Sequence, residues 1–400
     1  MTYSLPTDVP VLDIDPFGED FQRGPDLFYE RLRDAGPVVF LERYRVWAMA
    51  RFAEVHAALR DHESFSSAAG VGLTNFWKEE PWRPPSLLLE ADPPEHTRVR
   101  RITTRAMSPR AIEGLRPEFE RQAEDLVTTV VARAEFDGVT ELAQAYPLRV
   151  FPDAVGVGPH GRENLLLYGD MVFNGFGPRN QLFEEAMAPG APVRDWIAEQ
   201  CRRASLAPGG LGAGMYAAVD RGEITEDEAG LLVRSLLSAG IDTTVHAIAW
   251  TLHMLATQPG QWAALRDDPT LARPAFEETL RYASPVQLFL RATTREVRVA
   301  DTVIPAGEKV VCFLAAANRD PREYDDPDRF DIRRRTVSHL AFGSGIHACV
   351  GAAIARLEAE ILLTALARHV RTLELAGPPR PRRNNVLKAL ARLPLRVRAA

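Results

Sequence analysis

A chain of 400 residues, 46% hydrophobic and 26% charged, has the make-up of an ordinary globular protein and, on length alone, room for two or three domains. Its formal net charge of −6 argues against nucleic acid as a main partner. The three cysteines, Cys201, Cys312 and Cys349, stand far apart and form neither a disulfide framework nor a zinc-ligand spacing, as expected in a reducing compartment.

At the start of the chain, Met1 to Asp20 carries proline and aspartate but no basic region ahead of an apolar run, so no secretory leader is expected. No run of about 18 uncharged apolar residues occurs, which predicts no membrane span and a cytoplasmic location. Val38–Leu41 and Val46–Ala50 read as a β-hairpin, followed by a helix from Phe52 to Leu59. Ser108-Pro109 is a helix start of the cap-plus-proline type. It opens a helix over Arg110–Ala134 that Pro117 is expected to interrupt. Thr225-Glu226-Asp227-Glu228 is a capping box, and its helix runs to about Thr257, where Pro259-Gly260 stops it. At about 1.5 Å per residue this element spans about 50 Å, and its apolar sides predict a buried central helix. Strand-like runs Glu296–Ala300 and Lys309–Leu314 flank a Pro305-Ala306-Gly307 turn. The remainder reads as mostly helical with a small β region.

Two stretches break local rules. Ala239-Gly240-Ile241-Asp242-Thr243-Thr244 puts a glycine and several weak helix formers in the apolar middle of the central helix. Such a conflict marks either a kink with a buried polar patch or a functional site. The second stretch places Cys349 in a glycine-rich turn that runs straight into an amphipathic helix. The apolar positions of that helix are Ile354, Leu357, Ile361, Leu362, Leu366 and Val370. A cysteine there faces unpaired backbone N–H groups and the positive end of the helix, both of which favour thiolate. Gly343, Gly345 and Gly351 let the backbone lie flat against a large partner. A thiolate so presented suits an axial haem ligand, and a buried structural cysteine is the plain alternative.

Phe342-Gly343-Ser344-Gly345-Ile346-His347-Ala348-Cys349-Val350-Gly351 resembles the haem-binding loop of the cytochrome P450 family, the haem-thiolate monooxygenases. The resemblance covers essentially the whole chain. It implies the mostly α, triangular-prism fold of that family, with a long central helix and a minor β region, as one domain over residues 1–400. It also implies haem b (iron protoporphyrin IX) with Cys349 as axial ligand, framed by Phe342, Gly343 and Gly351. His96, Arg100, Arg291 and His347 match propionate-binding positions, where they would neutralise two buried acids. Ala239, Gly240, Asp242 and Thr243 match the oxygen-binding segment. There small residues leave room for dioxygen, Thr243 holds its distal atom and Asp242 passes protons from water. Glu278 and Arg281 match a structural pair that Arg329, from a later meander, completes.

Nothing in the chain matches a flavin or dinucleotide fingerprint, so the resemblance implies a separate two-iron two-sulfur ferredoxin with an NAD(P)H-dependent reductase. Arg98, Arg101, Arg105 and Arg333-Arg334-Arg335 are a possible docking face, or simply a solvated charge run. Asp242-Thr243 speaks against peroxide-driven or isomerase branches of the same scaffold and against a non-enzymatic haem sensor.

The segments over residues 78–86, 173–178 and 234–238 are similar to those of bacterial family members that oxidise para-substituted benzoates. The similarity implies that Arg83, Ser86, Ser235 and Ser238 hold the carboxylate and that Arg234 guards that end. Phe173, Phe176 and Phe289 would sandwich the ring. A small flat anion wants hydroxyls and a guanidinium at one end and apolar walls elsewhere. Serines bonded to their own backbone and phenylalanines in ordinary core packing are the plain alternatives. Leu288 and Leu290 stand, near the expected pocket wall, where such enzymes carry threonine and phenylalanine.

Overall fold

The computed structural model describes residues 9–335 and 338–400, so the expectation for the first eight residues lies outside the described part. The expected hairpin is present: Val39–Leu41 pairs antiparallel with Val46–Met49, with Phe40 opposite Trp47, and a helix follows over Phe52–Arg60. Val46–Met49 then runs parallel to Lys309–Cys312, which pairs antiparallel with Phe289–Thr293, Arg291 opposite Val310. The Phe289–Thr293 strand carries no strong sequence signal and was not anticipated. Val297–Val299 does form a strand, but it pairs with Thr302–Ile304. Pro305-Ala306-Gly307 therefore joins that small hairpin to the main sheet instead of closing a hairpin itself.

Ser108 caps the Pro109–Glu113 helix by accepting from the Ala111 N–H at 3.4 Å. A second helix, Arg116–Val131, begins before Pro117. The chain breaks at Gly114-Leu115, and Pro117 sits in the first turn of the new helix, where its missing N–H costs nothing. The proline starts a helix here and does not interrupt one.

The capping box at Thr225 is formed, the Thr225 hydroxyl accepting from the Glu228 N–H at 3.2 Å and the Glu228 carboxylate from the Thr225 N–H at 2.9 Å. The central helix is not continuous: it divides into Glu226–Ala239 and Asp242–Thr257. At the break, the Thr243 and Thr244 hydroxyls donate to the Ala239 and Gly240 carbonyls at 2.7 and 3.4 Å. Side-chain hydroxyls thus take acceptors that helical N–H groups would use. Taken together, Glu226–Thr257 is long and apolar enough to cross a membrane, contrary to the composition-based expectation. Yet 61% of its apolar window is buried inside the fold. Most of its apolar surface is already covered by protein.

The helix after Cys349 runs Ala352–His369 and buries Ile354, Leu357, Ile361, Leu362 and Leu366. Val370 opens a strand paired with Pro394–Ala399 instead of extending the helix. That helix packs against Arg116–Val131 and Ala272–Ala283. On the latter, Glu278 and Arg281 form a fully buried two-point ion pair at 2.8 and 2.9 Å. Its third member is Arg334, whose Nε donates to Glu278 at 3.2 Å. Arg329 gives only its carbonyl to Arg281, at 3.3 Å, while its side chain, 67% exposed, turns to Asp331. The expected role of Arg329 passes to Arg334 because the tight meander turn directs the Arg329 side chain to solvent.

Candidate active site

The helix break, the cysteine loop and the Phe289–Thr293 strand converge on one cavity of about 220 Å³. Cys349, Phe342, Gly343 and His347 line one side, and Ala239, Thr243, Thr244 and Ala247 face them from the central helix. Arg100 and Arg291 also line it, as do Arg83, Ser86, Phe173, Phe176, Ser235, Ser238 and Phe289.

The Cys349 N–H donates to the Phe342 carbonyl at 2.8 Å, which folds the loop back on itself. Gly343 and Gly345 both have φ +69°, the left-handed region, and a Cβ at Gly345 would lie 2.5 Å from the Leu59 carbonyl. Gly351 has an ordinary φ of −83°. Its place beside the sulfur, 3.8 Å from where a Cβ would stand, is what distinguishes it. Cys349 is exposed, but to the cavity and not to the outer surface. Burial pushes its thiol up, opposed by the Gly351 and Ala352 N–H groups and by Arg100 and Arg356. The helix-start effect expected from sequence is therefore present, but burial outweighs it.

Beside this loop, His96 and His347 meet with ring centroids 4.4 Å apart. His347 Nδ1 lies 3.1 Å from the Leu88 carbonyl. His347 Nε2 lies 3.9 Å from an Asp92 carboxylate oxygen, and both ring nitrogens of His96 are buried without a hydrogen-bond partner. Burial, with His347 and Arg100 close by, lowers His96 to about 4. Unpartnered buried nitrogens are costly. The one N–H of neutral His96 and the guanidinium groups of Arg100 and Arg291 are donors that acidic oxygens would satisfy. The propionates of a haem, with its iron beside Cys349, fit this donor set.

Thr243 lines the cavity, its hydroxyl donating to the Ala239 carbonyl at 2.7 Å. Asp242 does not line the cavity. Its buried carboxyl fills the space left by Gly169, where a Cβ would lie 2.2 Å from Oδ2. Burial raises it to about 8, with Arg382 opposing and Asp170 reinforcing the shift. Gly240 also lies behind the cavity wall, packed on Phe151.

Phe173, Phe176 and Phe289 form a chain of edge-to-face contacts with centroids 5.9 and 5.8 Å apart. Ser86 and Ser235 hydroxyls lie 3.0 Å apart. Ser235 donates to the Leu231 carbonyl at 2.9 Å and Ser238 to the Ser235 carbonyl at 3.2 Å. Arg83 pairs with the buried carboxylate of Glu90 at 3.0 Å. Glu90 was missed in the sequence. Its one signal is a carboxylate directly after the apolar run Leu87-Leu88-Leu89.

Arg234 is half-buried and does not reach the cavity: it donates to the Pro84 and Pro85 carbonyls at 2.8 and 3.1 Å, clamping the loop that carries Arg83 and Ser86. Leu288 and Leu290 also miss the cavity. Successive side chains of a strand point to opposite faces. Phe289 and Arg291 take the cavity face, so Leu290 is buried on the other, and Leu288, just before the strand, is buried away from the cavity as well. Of the arginines considered for docking, Arg98, Arg105 and Arg334 are held by Glu228, Glu223 and Glu278. Arg101, Arg333 and Arg335 remain exposed.

A cysteine loop and a broken central helix lining one cavity, with Arg100 and Arg291 in its wall, are the arrangement of a haem-thiolate protein. The chain belongs to the cytochrome P450 family. The family model described as cytochrome P450 matches residues 213–396. The chain is 53% identical over 393 residues to cytochrome P450 CYP199A2 of Rhodopseudomonas palustris, covering 98% of this chain and 95% of that one. Among solved structures it is similar to cytochrome P450 CYP109Q5 from Chondromyces apiculatus, with a TM-score of 0.83, 30% identity and coverage of 97% and 99%. It is also similar to cytochrome P450 CREJ in complex with (4-ethylphenyl) dihydrogen phosphate, with a TM-score of 0.85, 26% identity and coverage of 96% and 98%. As a member of this family the chain is an oxidoreductase, a P450 monooxygenase that binds haem b through a cysteine thiolate.

Proposed function

We propose that the substrate is a benzoate with a para substituent such as methoxy, and that residues 1–400 work as one domain to oxidise it at that position. The observation that carries this reading is a polar cluster in the cavity wall: Ser86 and Ser235 hydroxyls lie 3.0 Å apart, Ser238 donates to the Ser235 carbonyl, and Arg83 meets Glu90 beside the Ser86 N–H, while Phe173, Phe176 and Phe289 supply apolar wall. The CREJ structure, with its para-substituted aromatic anion, supports the same substrate shape. A carboxylate at this cluster would draw the Ser235 and Ser238 hydrogens off their backbone carbonyls. Charged acceptors make hydrogen bonds roughly twice as strong as neutral ones. Arg83, already shared with Glu90, supplies direction more than net charge.

In this reading Cys349 would ligate the haem iron through its sulfur, and His96, Arg100, Arg291 and His347 would hold the propionates. Phe342 shields the sulfur from water. Bound haem supplies the reductive activation of dioxygen. Thr243 would turn its hydroxyl hydrogen, now donated to the Ala239 carbonyl, toward the reaction space, and Asp242, protonated behind the helix break, would restore its proton. Two electrons come from a two-iron two-sulfur ferredoxin and its NAD(P)H-dependent reductase, in the cytoplasm. One oxygen atom enters a methoxy C–H bond and the other leaves as water with two protons. The resulting hemiacetal breaks down to 4-hydroxybenzoate and formaldehyde.

The test is a spin-state titration of the ferric holoenzyme. The methyl ester and the amide of 4-methoxybenzoate should bind about tenfold or more weakly than the acid, the equivalent of one charge-assisted hydrogen bond. Arg83→Ala should lose a similar factor for the acid alone. Equal binding of acid and amide would overturn the substrate assignment.

A further inference from the structure

A second cavity, of about 550 Å³, lies between the segment Pro16–Asp26, the last turns of the central helix and the chain over residues 381–389. It shares no lining residue with the haem-side cavity. Its apolar walls include Phe21, Met254 and Leu288, and Trp250 and Lys388 stand together at one end.

The Lys388 ammonium lies 4.9 Å from the Trp250 ring centroid and, among the described residues, makes no hydrogen bond or ion pair. Trp250 is fixed beneath it: its Nε1 donates to the Lys388 carbonyl at 2.9 Å, and His253 meets its ring edge-on at 5.1 Å. The other charged groups facing the cavity are engaged elsewhere. Arg23 pairs with Glu19, Arg382 with Asp170 at 2.8 Å, and Asp26 with Arg319 at 3.5 Å. Lys388 thus makes no direct ion pair among the described residues; the Asp26 carboxylate acts on it only from a distance, favouring its charge. Burial works against its charge, an effect that an anion beside it would offset.

We infer that this cavity is a second ligand site for a small apolar or aromatic carboxylate, its acid group on Lys388 and its body along Phe21, Met254 and Leu288. The site is separate from the chemistry but backs onto it. Pro285, Val286 and Phe289 line the haem-side cavity, while Gln287 and Leu288, between them in sequence, line this one. An occupant therefore packs on the reverse of the segment that carries Phe289.

The inference does not rest on the substrate assignment, and one experiment separates the two. Holoenzyme is dialysed to equilibrium against 4-bromobenzoate while the Soret spin shift is followed in parallel. Two molecules should bind per haem in the unaltered protein and one in Lys388→Met, with the Soret titration unchanged. Lys388→Arg should keep both, and 4-bromobenzamide should fill the second site at least about tenfold more weakly. A single molecule that shifts the Soret band, or two molecules that persist in Lys388→Met, would overturn the second site. A single molecule that leaves the Soret band in place and is lost in Lys388→Met would uphold it and overturn the substrate assignment instead. Absence of binding would overturn both.

Discussion

The sulfur of Cys349 sits where burial and the helix start act in opposite directions on its proton. Iron binding resolves that competition, since a metal-bound thiol gives up its proton. The reduced carbon-monoxide complex should show the red-shifted Soret band of a trans thiolate, and Cys349→Ser should abolish it. A band that survives the substitution would place the ligand elsewhere. Asp242 sets a second expectation. Its carboxyl, raised to about 8, is protonated at neutral pH and would be the proton source in the proposed reaction. Because its folded value lies above its unfolded one, the folded state binds this proton more tightly. The associated stability is full at low pH and declines as pH rises toward 8. Coupled product formation should fall above about pH 8, with that step absent in Asp242→Asn. The variant should be slower at neutral pH by roughly 10²–10⁴-fold.

Among the elements, the broken central helix does most to shape the site. The break rests on Gly240, where a Cβ would stand 2.1 Å from Phe151 Cζ, and on two threonine hydroxyls that replace helical donors. Gly240→Ala should therefore cost about 1–3 kcal/mol by overpacking, read in urea denaturation. Phe151→Leu in the same chain should restore much of that loss. If Gly240→Ala is neutral or stabilising, the helix break does not depend on this close approach.

For the molecule as a whole, the buried Glu278–Arg281 pair ties the helix over Ala272–Ala283 to the meander, with Arg334 as its third member. A carboxylate so deep needs every partner it has. Arg334→Ala should lower stability by about 1–3 kcal/mol, while Arg329→Ala should stay within about 0.5 kcal/mol. Denaturant midpoints of the two holoenzyme variants make the comparison. Equal losses would return the bracing role to Arg329.

The amino-acid order alone was enough to locate the cysteine loop, the capping box, the hairpin over residues 39–49 and the conflict inside the central helix. These depend on local rules: glycine where the backbone turns left-handed, a cap three residues before its partner, alternating apolar positions. It also carried the family, because the loop motif is short and contiguous. Tertiary structure decided what depends on contacts between distant segments. Arg334 displaced Arg329 because a turn chose which side chain faced inward. Glu90 reached Arg83, and Arg234 reached the Pro84–Pro85 carbonyls, across folds that no spacing records. Asp242 turned behind the helix because Gly169, on another helix, left room there. Strand alternation removed Leu288 and Leu290 from the cavity wall, and that alternation became visible only once the pairing of Phe289–Thr293 with Lys309–Cys312 fixed the register. Local geometry is written in neighbouring residues, whereas side-chain partners are settled by packing, and packing is a property of the whole fold.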